Sequence, residues 1–275
     1  MKPRFFTSFF FLCALALQAQ PNCNVYKWKG DTVCYKACEF YVNTMGFAQG
    51  SRESQIMLDS VIRICPQFDE AWRVKSIPYL KRGDFITWKT LIDKAVELNP
   101  REHLGYRGWC RYQFLRDYEG ALRDLESLDS MKIPDIGYSA NGDYHLNIAR
   151  ALCFKALGQK EKAAAVIENQ LAVASYSPGL YDYLHLGVLY LELGRLPEAI
   201  RALESQEKAF PGLSENNYYV ALAYRRSGKP ELAGPCLEKA RESYVSGRHR
   251  TDPYDHPMDC IFLSDIDREL AELRK

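Results

Sequence analysis

The chain has 275 residues, of which 47% are hydrophobic and 26% charged, a composition that suits an ordered chain with a continuous core. Its 36 Lys and Arg nearly cancel its 35 Asp and Glu, so no basic excess marks a nucleic-acid-binding face. Tyrosine is the residue type in excess, at 18.

Met1-Lys2-Pro3-Arg4 is a short basic start, followed by the apolar run FFTSFFFLCALALQA. That run is shorter than the roughly 20 residues a membrane-spanning helix needs. It closes on Leu17-Gln18-Ala19-Gln20, the layout of a secretory signal peptide (residues 1–19) cut after Ala19. An uncleaved N-terminal anchor is the alternative. Either way the expected location is outside the cytoplasm, periplasmic or extracellular. No later segment is apolar for long enough to span a membrane.

Loss of the leader removes Cys13 and leaves an even set: Cys23, Cys34, Cys38, Cys65, Cys110, Cys153, Cys236 and Cys260. An even set in an exported chain invites disulfides. Cys34 and Cys38 are four apart, hence on one helix face, with Cys23 and Cys65 nearby in sequence. A bridge among these four and simple burial both remain open, and the connectivity is unreadable. Cys110, Cys153 and Cys236 fall inside helical segments and read as small buried residues. No second His or Cys pair at matching spacing joins Cys34 and Cys38, so zinc is not expected.

After an N-terminal segment, 20–34, a helix–turn–helix period runs to the end of the chain. It is clearest at Leu180–Leu213, where Tyr183, Leu186 and Tyr190 recur at helical spacing and Gly194 makes the turn. Gly187 and Ala199 leave room for two helices to touch. Taken in order, the first unit is degenerate, with Met45, Gln49, Ser54, Leu58, Val61 and Pro66 in the frame and Ser51 as a helix N-cap. The second has Trp72, Tyr79, Gly83, Ala95 and Pro100. It also carries Trp88 where a small residue is usual, and Pro78 inside its first helix, read either as a tolerated kink or as a bend that frees a carbonyl. The third has Tyr112, Arg116, Ala121, Leu125 and Leu128, with Gly108 one residue early. An insertion, Asp129 to Asp143, has Pro134, Gly137, Asn141 and Gly142 and reads as a loop. The fourth unit has Asn147, Ala151, Phe154, Gly158 and Ala163. The sixth has Asn217, Ala221, Tyr224, Gly228, Ala233 and Ala240. Ser246 to Pro257 is a second irregular segment; Asp252, Asp255 and His256 within it, with Asp259 just beyond, are oxygen-rich, but Pro253 and Pro257 make them read as a solvated turn rather than a cation site. Met258 to Lys275 carries Ile261, Phe262, Ile266, Leu270 and Leu273 on one face, as a capping helix does.

This period resembles the tetratricopeptide repeat. The resemblance implies an all-α, right-handed α-solenoid over 35–275, with repeats at about 35–68, 69–101, 102–135, 144–177, 180–213 and 214–247, closed by a capping helix at 258–275. It also implies a concave groove lined by the first helix of each repeat. The matching positions are Arg73, Lys81, Tyr106, Arg107, His145, Lys155, Tyr181, His185, Tyr218, Arg225 and Arg226. This aromatic and basic row suits a protein or peptide ligand of acidic character. The paired Asn and Lys set by which such grooves grip a free C-terminus is missing, with Arg73 and Ile77 at two of its places.

No catalytic or cofactor motif is present: no G-x-S-x-G, H-E-x-x-H, P-loop or G-x-G-x-x-G. His103, His145 and His185 fall in successive first helices, but no carboxylate pair completes a metal site. The sequence therefore points to a non-enzymatic binding scaffold without cofactor or metal. Its alternatives are a structural subunit of an envelope-associated assembly and a hydrolase or metal-dependent enzyme built on the inserted loops.

Overall fold

The computed structural model describes residues 21–44, 46–252 and 255–273. The leader lies outside the described residues. Fourteen α-helices and no strand are found among the described residues, and the chain divides into two compact units, one ending at Leu98 and one beginning at Asn99.

The first unit contains α1 (Asn24–Trp28), α2 (Thr32–Thr44), α3 (Arg52–Ile64), α4 (Asp69–Lys81) and α5 (Phe85–Leu98). Cys23 is bonded to Cys38 and Cys34 to Cys65, so the two cysteines on one face of α2 reach different partners. Around them Ala37, Tyr41, Leu58, Val61, Phe68 and Ala71 form a buried cluster. Ser51 caps α3 by accepting the Ser54 N–H at 3.1 Å.

The turn before α3 uses positive φ at Gly50 rather than at Gln49, one residue later than the sequence frame placed it. Close packing explains the choice of glycine there. A Cβ on Gly50 would lie 2.7 Å from Pro78 Cβ, and Arg82 Nη2 donates to the Gly50 carbonyl at 2.8 Å. Pro78 is thus a buried packing residue, and α4 continues through it to Lys81. Trp88 and Ser76 are both fully buried, and Trp88 Nε1 has no hydrogen-bond partner among the described residues.

The second unit runs α6 (Pro100–Cys110), α7 (Tyr118–Ser130), α8 (Leu146–Ala156), α9 (Lys160–Leu171), α10 (Asp182–Glu192), α11 (Leu196–Ala209), α12 (Ser214–Arg226), α13 (Pro230–Val245) and α14 (Leu263–Leu273). A Cβ on Gly187 would fall 2.6 Å from Leu203 Cγ, so only glycine lets α10 and α11 approach this closely. Gly158, Gly194 and Gly228 turn the chain at φ of 77°, 75° and 72°.

The third repeat solves the same problem with one residue more. Gly108 packs against Leu125 as Gly187 packs against Leu203, yet the chain turns at Arg116 (φ 53°), eight residues on instead of seven. A π turn, Arg111–Leu115, takes up the extra residue. Arg107 and Arg111 both reach the buried Asp124 carboxylate across this hairpin, at 2.6–2.9 Å and 2.8 Å.

The insertion before α8 begins at Met131, because Asp129 and Ser130 still belong to α7. It is tied down by Ser139 N–H to Tyr144 O and Leu146 N–H to Gly137 O, each 2.8 Å. At the other end α14 seats Ile266 and Leu270 against Leu237, Ala240, Tyr218 and Ala221. Among the described residues no helix is long and apolar enough to cross a membrane.

Candidate functional site

Of the segment joining α13 to α14, the described residues 246–252 and 255–262 return to the hairpins: Arg248, Arg250 and Asp259 reach α12, α10 and α8, the first helices of three successive hairpins. Gly247 (φ 82°) turns the chain after α13. Arg248 O then accepts the Ser214 N–H at 2.9 Å, and Arg250 N–H donates to Glu215 Oε1 at 2.9 Å.

Arg250 is the centre of the contact, only 6% exposed. Its guanidinium lies over the Tyr181 ring, 4.0 Å from the centroid, a cation–π arrangement. One nitrogen donates to Met258 O at 2.5 Å and the other to the Tyr144 hydroxyl. Beyond it, Asp255 accepts from Arg116 Nη2 at 3.2 Å, and Asp259 turns back under the segment at φ 66°. The Asp259 carboxylate meets Lys155 Nζ on α8 and His185 Nδ1 on α10, each at 2.6 Å. Lys155 also reaches Glu192, at 3.1 Å.

These contacts assign the protons. Asp259 can only accept from His185 Nδ1, so Nε2 carries a lone pair. Tyr144 OH, 3.3 Å away, receives from Arg250 and donates to that nitrogen. Burial pushes His185 down to about 4, against the pull of Asp259, and the imidazole is neutral at pH 7. Burial opposes the ionisation of Asp259, but Lys155 and the His185 hydrogen bond outweigh it and hold the carboxyl well below its usual range. Burial raises Tyr144 far from its ordinary value and raises Glu215 as well.

Asp259, His185 and Tyr144 share the order of an acid–base–hydroxyl relay. His185 is fully buried and Tyr144 4% exposed, with Arg250 packed over them, so no substrate reaches the hydroxyl in this arrangement. What the arrangement does is hold the cations Lys155 and Arg250 and the carboxylate of Asp259 together on a buried helical face. Among the described residues no group of three or more His, Cys, Asp and Glu side chains is placed to hold a metal ion.

Of the residues singled out from the sequence, Lys155, Tyr181 and His185 come together in this network. The others are engaged elsewhere. His145 caps α8, accepting the Asn147 N–H at 3.1 Å, and its Nε2 meets Asp135 at 2.7 Å. Tyr218 is buried among α12, α13 and α14. Arg225 pairs with Glu269 at 2.5 Å and Glu272 at 2.9 Å on α14, and Arg226 donates to Leu191 O at 3.2 Å. Arg107 is held by Asp124, and Tyr106 is half-buried with its ring tilted toward Trp109. In the first unit Arg73 pairs with Glu70 at 2.7 Å and Lys81 with Gln49 at 2.7 Å.

One expectation is corrected. Asp259 belongs to no solvated turn: its side chain is 6% exposed and ion-paired, because Lys155 and His185 supply the charge and the proton that justify burying it. Arg250, Tyr144 and Glu215 did not stand out in the sequence. For Arg250 the only hint was a stretch of charges around Pro253 and Pro257, which reads as solvent-facing until its partners are known.

No family model matches the chain, and no curated protein does. Solved structures do. PilW, described as a widely conserved type IV pilus biogenesis factor, is 14% identical and superposes with a TM-score of 0.61, over 86% of this chain and 98% of that one. Pseudomonas aeruginosa pilF is 12% identical with a TM-score of 0.60, over 85% and 97%. YrrB, described as a TPR protein with an unusual peptide-binding site, is 16% identical with a TM-score of 0.54, over 68% and 92%. At these identities the likeness is one of fold. Together with the hairpins, their turn glycines and the Gly187–Leu203 contact, it gives this chain the tetratricopeptide-repeat fold of the α-solenoid class.

Proposed function

We propose that this chain is a non-enzymatic protein-interaction scaffold that acts outside the cytoplasm and takes extended polypeptide on the inner faces of its hairpins. One observation carries the reading. The face built by α8, α10 and α12 already holds residues of the chain's own loop, 248–252 and 255–260, through the contacts a peptide ligand makes: a stacked arginine, a paired carboxylate and hydrogen bonds from and to its backbone at Arg248 and Arg250. YrrB, whose description names a peptide-binding site, lends the reading a parallel. Export is supported by the two disulfides of the first unit, since such bonds persist in oxidising compartments.

The acidic ligand that the basic row suggested has less to meet than the sequence implied. Lys155, Arg107 and Arg225 are already neutralised by Asp259, Asp124 and Glu269. The second reading is a structural subunit of an envelope assembly, favoured by the near-full-length likeness to a protein described as a pilus biogenesis factor.

Quantitative capture tests the scaffold reading, with the tagged, processed chain as bait in envelope extracts. A discrete protein should be recovered in stoichiometric amount, released by excess untagged chain, and bound again when both are purified. Failure to find any saturable partner sinks the reading. A loss of assembly size by light scattering on altering α14, with no partner lost, favours the structural subunit.

A further inference from the structure

We propose that residues 248–252 and 255–260 act as a built-in ligand: they occupy in cis a recognition groove on α8, α10 and α12 whose partner is a polypeptide presenting an arginine and a carboxylate. The proposal rests on the scaffold reading above and adds the partner's chemistry.

Two pockets define that chemistry. The first is cationic in its demand. The Tyr181 ring face, the Tyr144 hydroxyl and the buried Glu215 surround the Arg250 guanidinium and its backbone N–H. The second demands an anion, with Lys155 Nζ and His185 Nδ1 converging on Asp259. The two pockets share one imidazole. Arg250 Nη1 lies 3.5 Å from its Nε2, and Asp259 Oδ2 lies 2.6 Å from its Nδ1. Nine positions separate Arg250 from Asp259 in the segment, but their charges almost meet. A ligand in trans therefore needs an Arg and an Asp or Glu only a few residues apart.

The groove cannot stand empty at low cost. Lys155 is 9% exposed, Glu215 and His185 not at all; without the segment Lys155 would keep only Glu192, and Glu215 and His185 would each lose a hydrogen-bond partner in a low-dielectric site. Something carrying both charges must sit there, either the chain's own segment or a substitute. The segment is also an incomplete fit. Glu215 Oε2, fully buried, takes no hydrogen bond from any described residue, which leaves a donor position that a better ligand can fill. Among the described residues of the segment, the backbone is fastened to the helices at Arg248 and Arg250, while Thr251 and His256 are exposed. It can leave without unzipping any hairpin.

The test is displacement and rescue. The full chain carrying Arg250→Ala and Asp259→Ala is titrated with a labelled synthetic peptide of residues 246–262, its cysteine replaced by serine. Fluorescence anisotropy should show saturable binding to the double variant and at least tenfold weaker binding to the unaltered chain. The same peptide with Arg250→Ala should bind the variant at least tenfold more weakly. The peptide should also raise the variant's melting temperature. Equal binding to both proteins, or none to a variant whose circular dichroism is native, overturns the proposal.

If the double variant does not fold, hydrogen exchange on the unaltered chain decides. The Arg250 amide should exchange at least tenfold faster than the amides of α10, because the segment opens alone. Exchange of Arg250 only together with α10 and α12 overturns it. Partner capture by the unaltered chain is a separate result. Capture without peptide binding removes the built-in ligand and leaves the scaffold, whereas peptide binding without capture does the reverse.

Discussion

In the unit that ends at Leu98, two disulfides cross-link α1, α2 and the end of α3. In the unit that begins at Asn99, Cys110, Cys153, Cys236 and Cys260 remain thiols, and a returning segment is held on the first helices by Arg250 and Asp259. The same hairpin is thus completed by two kinds of chemistry. The shorter stack, as a small unit, gains from a restricted unfolded state. The longer stack has core enough to carry a buried ion network, which costs desolvation and yields specificity rather than net stability. Covalent closure is permanent, and ionic closure is exchangeable.

That contrast can be broken from either side. Removing both disulfides, by reduction or by Cys34→Ala with Cys38→Ala, should cost about 2–5 kcal/mol for each bond. The loss should appear in the exchange of α3 amides and leave α10 and α12 protected. Equal loss in both units would mean that the disulfides are not a device of the first alone. Asp259→Ala leaves the buried Lys155 with Glu192 as its remaining counter-charge and His185 Nδ1–H without its acceptor, and should cost about 3 kcal/mol of unfolding free energy in urea, this time in the second unit.

Acid should act on the second unit too. An unfolded His titrates near 6.5 and His185 in the fold near 4, so between those values the unfolded state binds the extra proton. Stability therefore falls as the pH is lowered through that window, by on the order of 2–3 kcal/mol for this group. Asp259, held low, adds to the loss below about pH 4. Glu215 and Asp182, pushed up by burial, work against it. In the His185→Gln variant the slope contributed between pH 6.5 and 4 should vanish, as followed by urea titrations at stepped pH. At the small end, Arg73→Ala removes a partly exposed pair with Glu70 and should change stability by less than about 0.5 kcal/mol. Arg107→Ala, which strips one of two partners from the buried Asp124, should cost about 1–3 kcal/mol.

The fold was legible because each repeat must solve the same steric problem at the same place. Gly83, Gly158, Gly194 and Gly228 supply a backbone conformation other residues resist, and they stand at fixed offsets in the sequence. Where the offset broke, between Gly108 and Arg116, the sequence showed one residue too many but not the π turn that absorbs it. Register in the first repeat slipped by one for a different reason. The choice between Gln49 and Gly50 depends on Pro78, which is far along the chain.

The site was less legible. First-helix positions such as Lys155 and His185 could be named, since they follow from the repeat. Their partner Asp259 lies 104 and 74 residues away, in a stretch whose apolar spacing reads as the start of the capping helix, whereas α14 begins only at Leu263. Burial of Asp259 depends on two charges brought to it by tertiary structure, and local pattern carries no trace of that.

A double-mutant cycle across this contact tests the central claim most directly. Lys155→Met, Asp259→Leu and the double variant are compared by urea unfolding. If residues 248–252 and 255–260 are seated on the inner helices of the second unit, each single change strands a buried charge, and the double change costs no more than the worse single one. The coupling should then be at least about 2 kcal/mol. Additive costs, with coupling near zero, would contradict the account.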